Sequence, residues 1–116
     1  MQDAGQPIAL APEALAMRLG ALSHPVRLAI LKHLSASGCC CCKDVVRSTE
    51  LAQSTVSQHL KILVDAGLVR YTPDRQRSRY EVDRAALEEL GAAISGLLRS
   101  CCAASNAAPP ITQKQG

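Results

Sequence analysis

In the stretch STVSQHLKILVDAGLVRYT, residues 54–72, the hydrophobic period changes at Gly67. Before it, Val56, Leu60, Leu63 and Val64 recur at helical spacing and form one buried stripe. After it, LVRYT and SRYEV are short, rich in Val, Tyr and Thr, and separated by PDRQR. The pattern predicts a helix closed by a C-terminal glycine, followed by a two-stranded hairpin with a long, basic tip. The rest of the chain has to pack around that helix and hairpin.

Upstream, PEALAMRLGAL places Leu15, Leu19 and Leu22 at helical spacing, with Pro12 suited to a first turn. SHPVRLAILKHL predicts a second helix, with Ser23 as N-cap, Pro25 in the first turn, Val26, Ile30 and Leu34 on one stripe, and an end near Gly38. KDVVRST predicts one or two helical turns and ELAQ a connector. Downstream, DRAALEELGAAISGLLRS predicts a last helix with a broad apolar face of Leu87, Leu90, Ile94, Leu97 and Leu98. Gly91, Ala92 and Ala93 keep it slim enough to pack closely on another helix, and Cys101 and Cys102 end it. The expected organisation is a flexible N-terminus over 1–10, one domain over 11–102, and a tail over 103–116 whose composition is that of a disordered segment.

A chain of 116 residues fits one domain. Its core must be built from Leu, Val, Ile and Ala, because there is no Trp or Phe and only two Tyr. A small aliphatic core leaves stability marginal, so pairing with a second copy would help. No stretch approaches the length of a membrane span, and MQDAGQPIAL lacks the basic start of a secretory signal. The expected location is the cytoplasm, where thiols stay reduced.

The element order is helix, helix, short helix, turn, amphipathic helix, basic hairpin, helix. That is a mainly α fold with a small β-hairpin, a winged helix-turn-helix, whose second motif helix puts its N-terminal residues on base edges in the major groove. The residues offered to the groove are Thr55, Ser57, Gln58 and Lys61. Gln pairs bidentately with adenine, Ser and Thr serve several bases, and Lys reaches phosphate or guanine. The net charge of +3 is modest, but Arg70, Arg75, Arg77 and Arg79 crowd into ten residues, opposed by Asp74 with Glu81 just beyond. Such a basic hairpin suits backbone phosphates or the minor groove. The expected partner is double-stranded DNA.

Six cysteines stand in two clusters, Cys39–Cys42 and Cys101–Cys102. In a reducing compartment, clustered cysteines read as metal-binding or redox-active rather than as staples, and a ring closed between neighbours strains the disulfide. In an extended segment Cys39 and Cys41 share one side and Cys40 and Cys42 the other. We expect Cys40 and Cys42 to fill the core as small hydrophobes, leaving Cys39 and Cys41 facing outwards to bind. Cys39 and Cys42 have C-x-x-C spacing, but neither a strand–helix–strand pattern nor a partner set for a nucleophile accompanies them, so no enzyme is expected.

LSHPVRLAILKHL, STVSQHLKILVDAGLV and RSRYEV closely resemble the ArsR/SmtB family of bacterial metal- and metalloid-responsive repressors, over roughly residues 12–100. The resemblance implies a homodimer paired through its first and last helices, bound to operator DNA without the inducer and released when metal binds. It also makes His59, in SQHL, structural, and likewise His24 and His33. Family members that hold zinc use Asp and His residues on the last helix; here Asp83 is present but no His follows position 59. Cysteine-only ligation points to soft ions: arsenite, antimonite, methylated trivalent arsenic, cadmium, lead or copper(I).

The arsenic-sensing prototype carries C-V-C-D-L before the recognition helix. CCKDV matches it at Cys41 and Asp44, with Lys43 where the second cysteine belongs. Other members carry the site at vicinal cysteines ending the last helix, which Cys101 and Cys102 match. A frayed helix end would let both thiolates grip one arsenic or antimony atom. We therefore expect Cys101 and Cys102 as the inducer site, with Cys41 or Cys39 of either subunit as a third donor. No cofactor is expected for DNA binding itself. A redox-sensing or a cadmium- or lead-sensing repressor of the same fold is the alternative.

Overall fold

The computed structural model describes residues 10–38, 41–73, 75 and 78–107, with side chains to residue 103. Five helices and one hairpin follow in the order α1 (Pro12–Leu22), α2 (Pro25–Ser37), α3 (Cys42–Thr49), α4 (Gln53–Asp65), β1 (Val69–Pro73), β2 (Ser78–Val82) and α5 (Arg84–Ala107). The strands are antiparallel, with Val69 opposite Val82 and Tyr71 opposite Tyr80. Among the described residues no single helix is long and apolar enough to cross a membrane.

The core is aliphatic, as the composition requires. Ile30 and Leu34 of α2, Val45 of α3, Val56, Leu60 and Leu63 of α4, and Leu68 are fully buried and pack as one cluster. Full burial of one such side chain is worth about 1.5–3 kcal/mol. Every buried side chain among the described residues is apolar.

Local signals place the elements. Pro25 opens α2, which makes the preceding residue the cap. His24 therefore caps α2, its Nδ1 accepting from the Val26 N–H at 3.1 Å. Ser23, expected there, closes α1 instead, its hydroxyl donating to the Gly20 carbonyl at 2.9 Å. At the end of α4, Gly67 has φ +81°. Its N–H reaches the Val64 carbonyl at 2.9 Å, and the Leu68 N–H reaches the Leu63 carbonyl at 3.0 Å. This is a Schellman close with glycine in the left-handed position and Leu63 and Leu68 both buried beside it. The Asp83 carboxylate caps α5 by accepting from the Ala86 N–H at 3.0 Å.

Three expectations need correction. The chain is not extended at Cys41–Cys42: Cys41 is the N-cap of α3 and Cys42 its first residue. Helical rather than alternating geometry then sets the faces: Cys41, expected outwards, is buried at 6 % exposure, whereas Cys42, expected in the core, is half-buried and packs against it. Cys39 and Cys40 lie outside the described residues. The last helix also runs on to Ala107 rather than ending at Cys102. CCAASNA is rich in alanine, the best helix former, and the first prolines are Pro109 and Pro110. At the other end Leu10, expected in a flexible segment, packs against the core; residues 1–9 and 108–116 lie outside the described residues.

Candidate nucleic-acid interface and thiol sites

α3, the turn Glu50–Ala52 and α4 form the helix-turn-helix. Glu50 makes the turn possible by adopting the left-handed region, φ 60°. Leu51 packs against the core, with its N–H bound to the Thr49 hydroxyl at 3.3 Å. The apolar stripe Val56, Leu60, Leu63 pins α4 from below, so the opposite face is presented outwards.

That face carries Ser57, Gln58 and Lys61, all exposed. Thr55, assigned with them from the sequence, is half-buried and stands at the edge. The helix starts one residue earlier than the periodicity suggested, which adds exposed Gln53 and Ser54 to its first turn. Ser54, Gln58 and Lys61 share one stripe by their spacing of four and three. Ala52 at the N-cap offers no side-chain acceptor to the first-turn N–H groups of α4. Sequence reasoning missed Gln53 and Ser54 because no cap residue marks the start of the helix. Lys61 Nζ lies 3.1 Å from Asp65 Oδ2 in an exposed pair. Such a pair is worth about 0.3–0.5 kcal/mol and yields readily to a phosphate.

The hairpin stands beside this face. Arg75 and Arg79 are exposed, and Arg77 and Asp74 lie outside the described residues. Arg70 pairs loosely across the strands with Glu81 at 3.8 Å. Tyr71 and Tyr80 pack at 5.2 Å between ring centroids, and the Ser78 hydroxyl donates to the Tyr71 oxygen at 3.0 Å, stiffening the stem below the basic tip.

The thiols fall into three settings. Cys41 is buried, its N–H and Sγ each 3.3 Å from Asp44 Oδ2, so the acid of the CCKDV motif serves the start of α3. Cys42 faces the DNA-reading helix, its Sγ 3.6 Å from Ser57 Oγ. It also lies against the wing: burial, then the charge of Cys42, then Tyr71 hold the Tyr80 phenol above its ordinary range. Cys101 and Cys102 are exposed on α5. They sit within regular helix, where neighbours diverge by about 100°. They lie about 10 Å along the axis beyond Ile94, which still packs on the core. Among the described residues no three His, Cys, Asp or Glu side chains converge to hold a metal ion. A third thiolate thus does not come to Cys101 and Cys102 from Cys41 within one protomer.

His59 turns away from the groove face. Its Nδ1 lies 3.1 Å from Arg27 Nη1, and its ring packs on His24 at 4.6 Å between centroids. Burial, then His24, then Arg27 hold its pKa below the usual 6.5. His33 Nε2 is buried without a hydrogen-bond partner.

Residues 24–71 match the family described as bacterial regulatory protein, arsR family. The HTH-type transcriptional regulator YgaV of Escherichia coli (strain K12) is 36% identical over 97 residues, covering 84% of this chain and 97% of that protein. The arsenical resistance operon repressor of Staphylococcus aureus is 36% identical over 69 residues, covering 60% of this chain and 65% of that protein. The ArsR-like transcriptional regulator from Rhodococcus sp. RHA1 superposes with a TM-score of 0.73 at 20% identity, over 89% of this chain and 96% of that one, and shares its fold.

Proposed function

This chain belongs to the arsR family of bacterial regulatory proteins, which are DNA-binding transcriptional regulators rather than enzymes, and on that premise we propose that it represses a metalloid-resistance operon and leaves its operator when trivalent arsenic or antimony binds Cys101 and Cys102. The unit that does so spans residues 11–102 and works as a cytoplasmic homodimer. Ser57, Gln58, Lys61 and, at the edge, Thr55 meet base edges, while Arg75, Arg77 and Arg79 meet phosphate. The observation that carries the inducer reading is the exposure of both thiols, side by side, on the last helix. The name of the staphylococcal relative supports the metalloid class.

The chemistry suits the donors. Methylarsenite exchanges two hydroxyls for two thiolates and releases two waters, keeping its carbon. Inorganic arsenite prefers a third thiolate, which Cys39 of either subunit or Cys41 of a second subunit would supply. Neighbouring thiols on a helix diverge, so closing both onto one atom requires local unwinding. Binding would thus act on the shape of α5.

Coupling to DNA follows by linkage. The inducer must favour a dimer geometry that fits DNA badly, and DNA must weaken inducer binding by the same factor. A coupling of about 3 kcal/mol changes affinity about 150-fold. Half-sites lie about one DNA turn apart, so a small change in the spacing of two α4 helices spoils the register.

The test uses a duplex selected from a random pool by the full-length protein. Under reductant, arsenite, methylarsenite and antimonite should release it from the wild type, and Cys101→Ser and Cys102→Ser should resist. If those variants respond normally while Cys41→Ser does not, the site assignment fails. Release by peroxide alone, with trivalent arsenic silent, would instead mark a redox repressor.

A further inference from the structure

Arg27, in the first turn of α2, joins three helices. Its Nε donates to the Ala21 carbonyl in the last turn of α1 at 2.7 Å, and its Nη1 lies 3.1 Å from His59 Nδ1 in the middle of α4. His24 packs against the His59 ring, 4.6 Å between centroids, and is itself fixed as the cap of α2. Val56, Leu60 and Leu63 seat α4 on the core through aliphatic contacts, which carry no preferred direction, and Cys42 Sγ approaches Ser57 Oγ at 3.6 Å. A hydrogen bond has a preferred direction and distance. His59 follows Ser57 and Gln58 directly, so its tether sets the angle at which those two residues face outwards.

We propose that Arg27, acting through His59, is a positioning residue that fixes how α4 presents Ser57 and Gln58 to DNA, and that the tether holds only while His59 is neutral. The inference rests on α4 being the DNA-reading element. A guanidinium has donors only, so Nδ1 must accept and the ring proton must sit on Nε2. Protonating His59 puts an N–H and a positive charge against Arg27, with His24 also beside the ring. Among the described residues the charged and titratable groups facing His59 are these two, both from the start of α2. α1 supplies the Ala21 carbonyl through Arg27, and Lys61 on α4 is occupied by Asp65. Acid therefore breaks the tether and removes its hold on the angle of α4.

The sign of the effect is diagnostic. An added positive charge near DNA by itself tightens phosphate binding, whereas loss of the tether weakens binding. Fluorescence anisotropy of the full-length protein on the selected duplex, at constant salt from about pH 7.5 to about pH 5.5, should show affinity falling as His59 protonates. His59→Asn offers Arg27 an acceptor that cannot titrate, so whatever its affinity at the upper pH, that affinity should lose nothing to acid. Arg27→Gln should bind about tenfold more weakly at the upper pH, the size of one charge-assisted hydrogen bond, with a flat acid profile and unchanged helical circular dichroism. An acid loss that persists in His59→Asn, or wild-type affinity in Arg27→Gln, overturns the proposal. Nitrogen-15 NMR of the imidazoles in the DNA-free wild type decides the tether separately: an Nε2–H tautomer is expected, and an Nδ1–H tautomer refutes it. Failure of the wild type to select any duplex would count against the DNA reading alone, since the tautomer is read without DNA.

Discussion

At the scale of single residues, two positions carry distinct costs. Gly67 holds φ +81° at the close of α4, and a Cβ there would meet Arg18 Nη2 at an ordinary 3.6 Å. Space is thus not the obstacle; the left-handed backbone is. Gly67→Ala should lower stability by about 1–2 kcal/mol, the cost of an L-residue in that region, read as a shift in the urea midpoint with an unchanged slope. His59 gives a pH signature. Its folded pKa is depressed below the usual 6.5, so the unfolded chain takes up its proton first as the pH falls. The stability it leaves intact above about pH 6.5 is lost as the pH drops toward the folded pKa. Urea midpoints measured across that window should decline in the wild type and decline less in His59→Asn. An equal decline in both would assign the acid sensitivity to other groups.

At the scale of elements, the hydrophobic period marked most of the fold. α1, α2, α4 and both strands lie within a residue or so of where apolar spacing, Pro12, Pro25, Gly38 and Gly67 put them. The cysteine quartet was not legible in the same way, because a run of identical residues has no period. Two-fold alternation and helical rotation assign Cys41 and Cys42 to opposite sides, and the start of α3 decides between them. α5 runs past Cys102 because the alanines of CCAASNA continue the helix while adding no leucine stripe for the period to follow. The groove face was legible at Ser57, Gln58 and Lys61 and incomplete at Gln53 and Ser54, for want of a capping residue. Gln58 gives the sharpest test of that face. Gln58→Ala should cost about 1–3 kcal/mol of operator affinity and relax preference at one base pair, the effect of losing a bidentate contact. Lys61→Ala should weaken binding to all sequences alike and lower the salt dependence by about one contact. Identical sequence profiles for both variants would remove α4 from base readout.

At the scale of the whole molecule, the protomer leaves apolar surface uncovered where its first and last helices meet. Met17 on α1 is 54 % exposed, and Leu97 and Leu98 on α5 are 46 % and 57 % exposed. Arg18 and Glu89, at 3.0 Å, bind α1 to the first half of α5. The core of a single copy is purely aliphatic and small, and covering these leucines in a second copy adds burial that the monomer lacks. The melting temperature of the wild type should therefore rise with protein concentration. In Leu97→Glu combined with Leu98→Glu, two carboxylates would be buried against their own copies. That variant should sediment near the 12.3 kDa of one chain, with a melting temperature independent of concentration. Because both substitutions lie on the outward part of α5, far from Ala86 and Leu90 in the core, its helical signal should persist. It should bind a single half-site weakly and lose the advantage of two sites about one DNA turn apart. If the double variant still sediments at twice the chain mass and binds DNA as before, the dimer must form elsewhere. In that case a change at Cys101 and Cys102 has no direct path through α5 to the spacing of the two recognition helices.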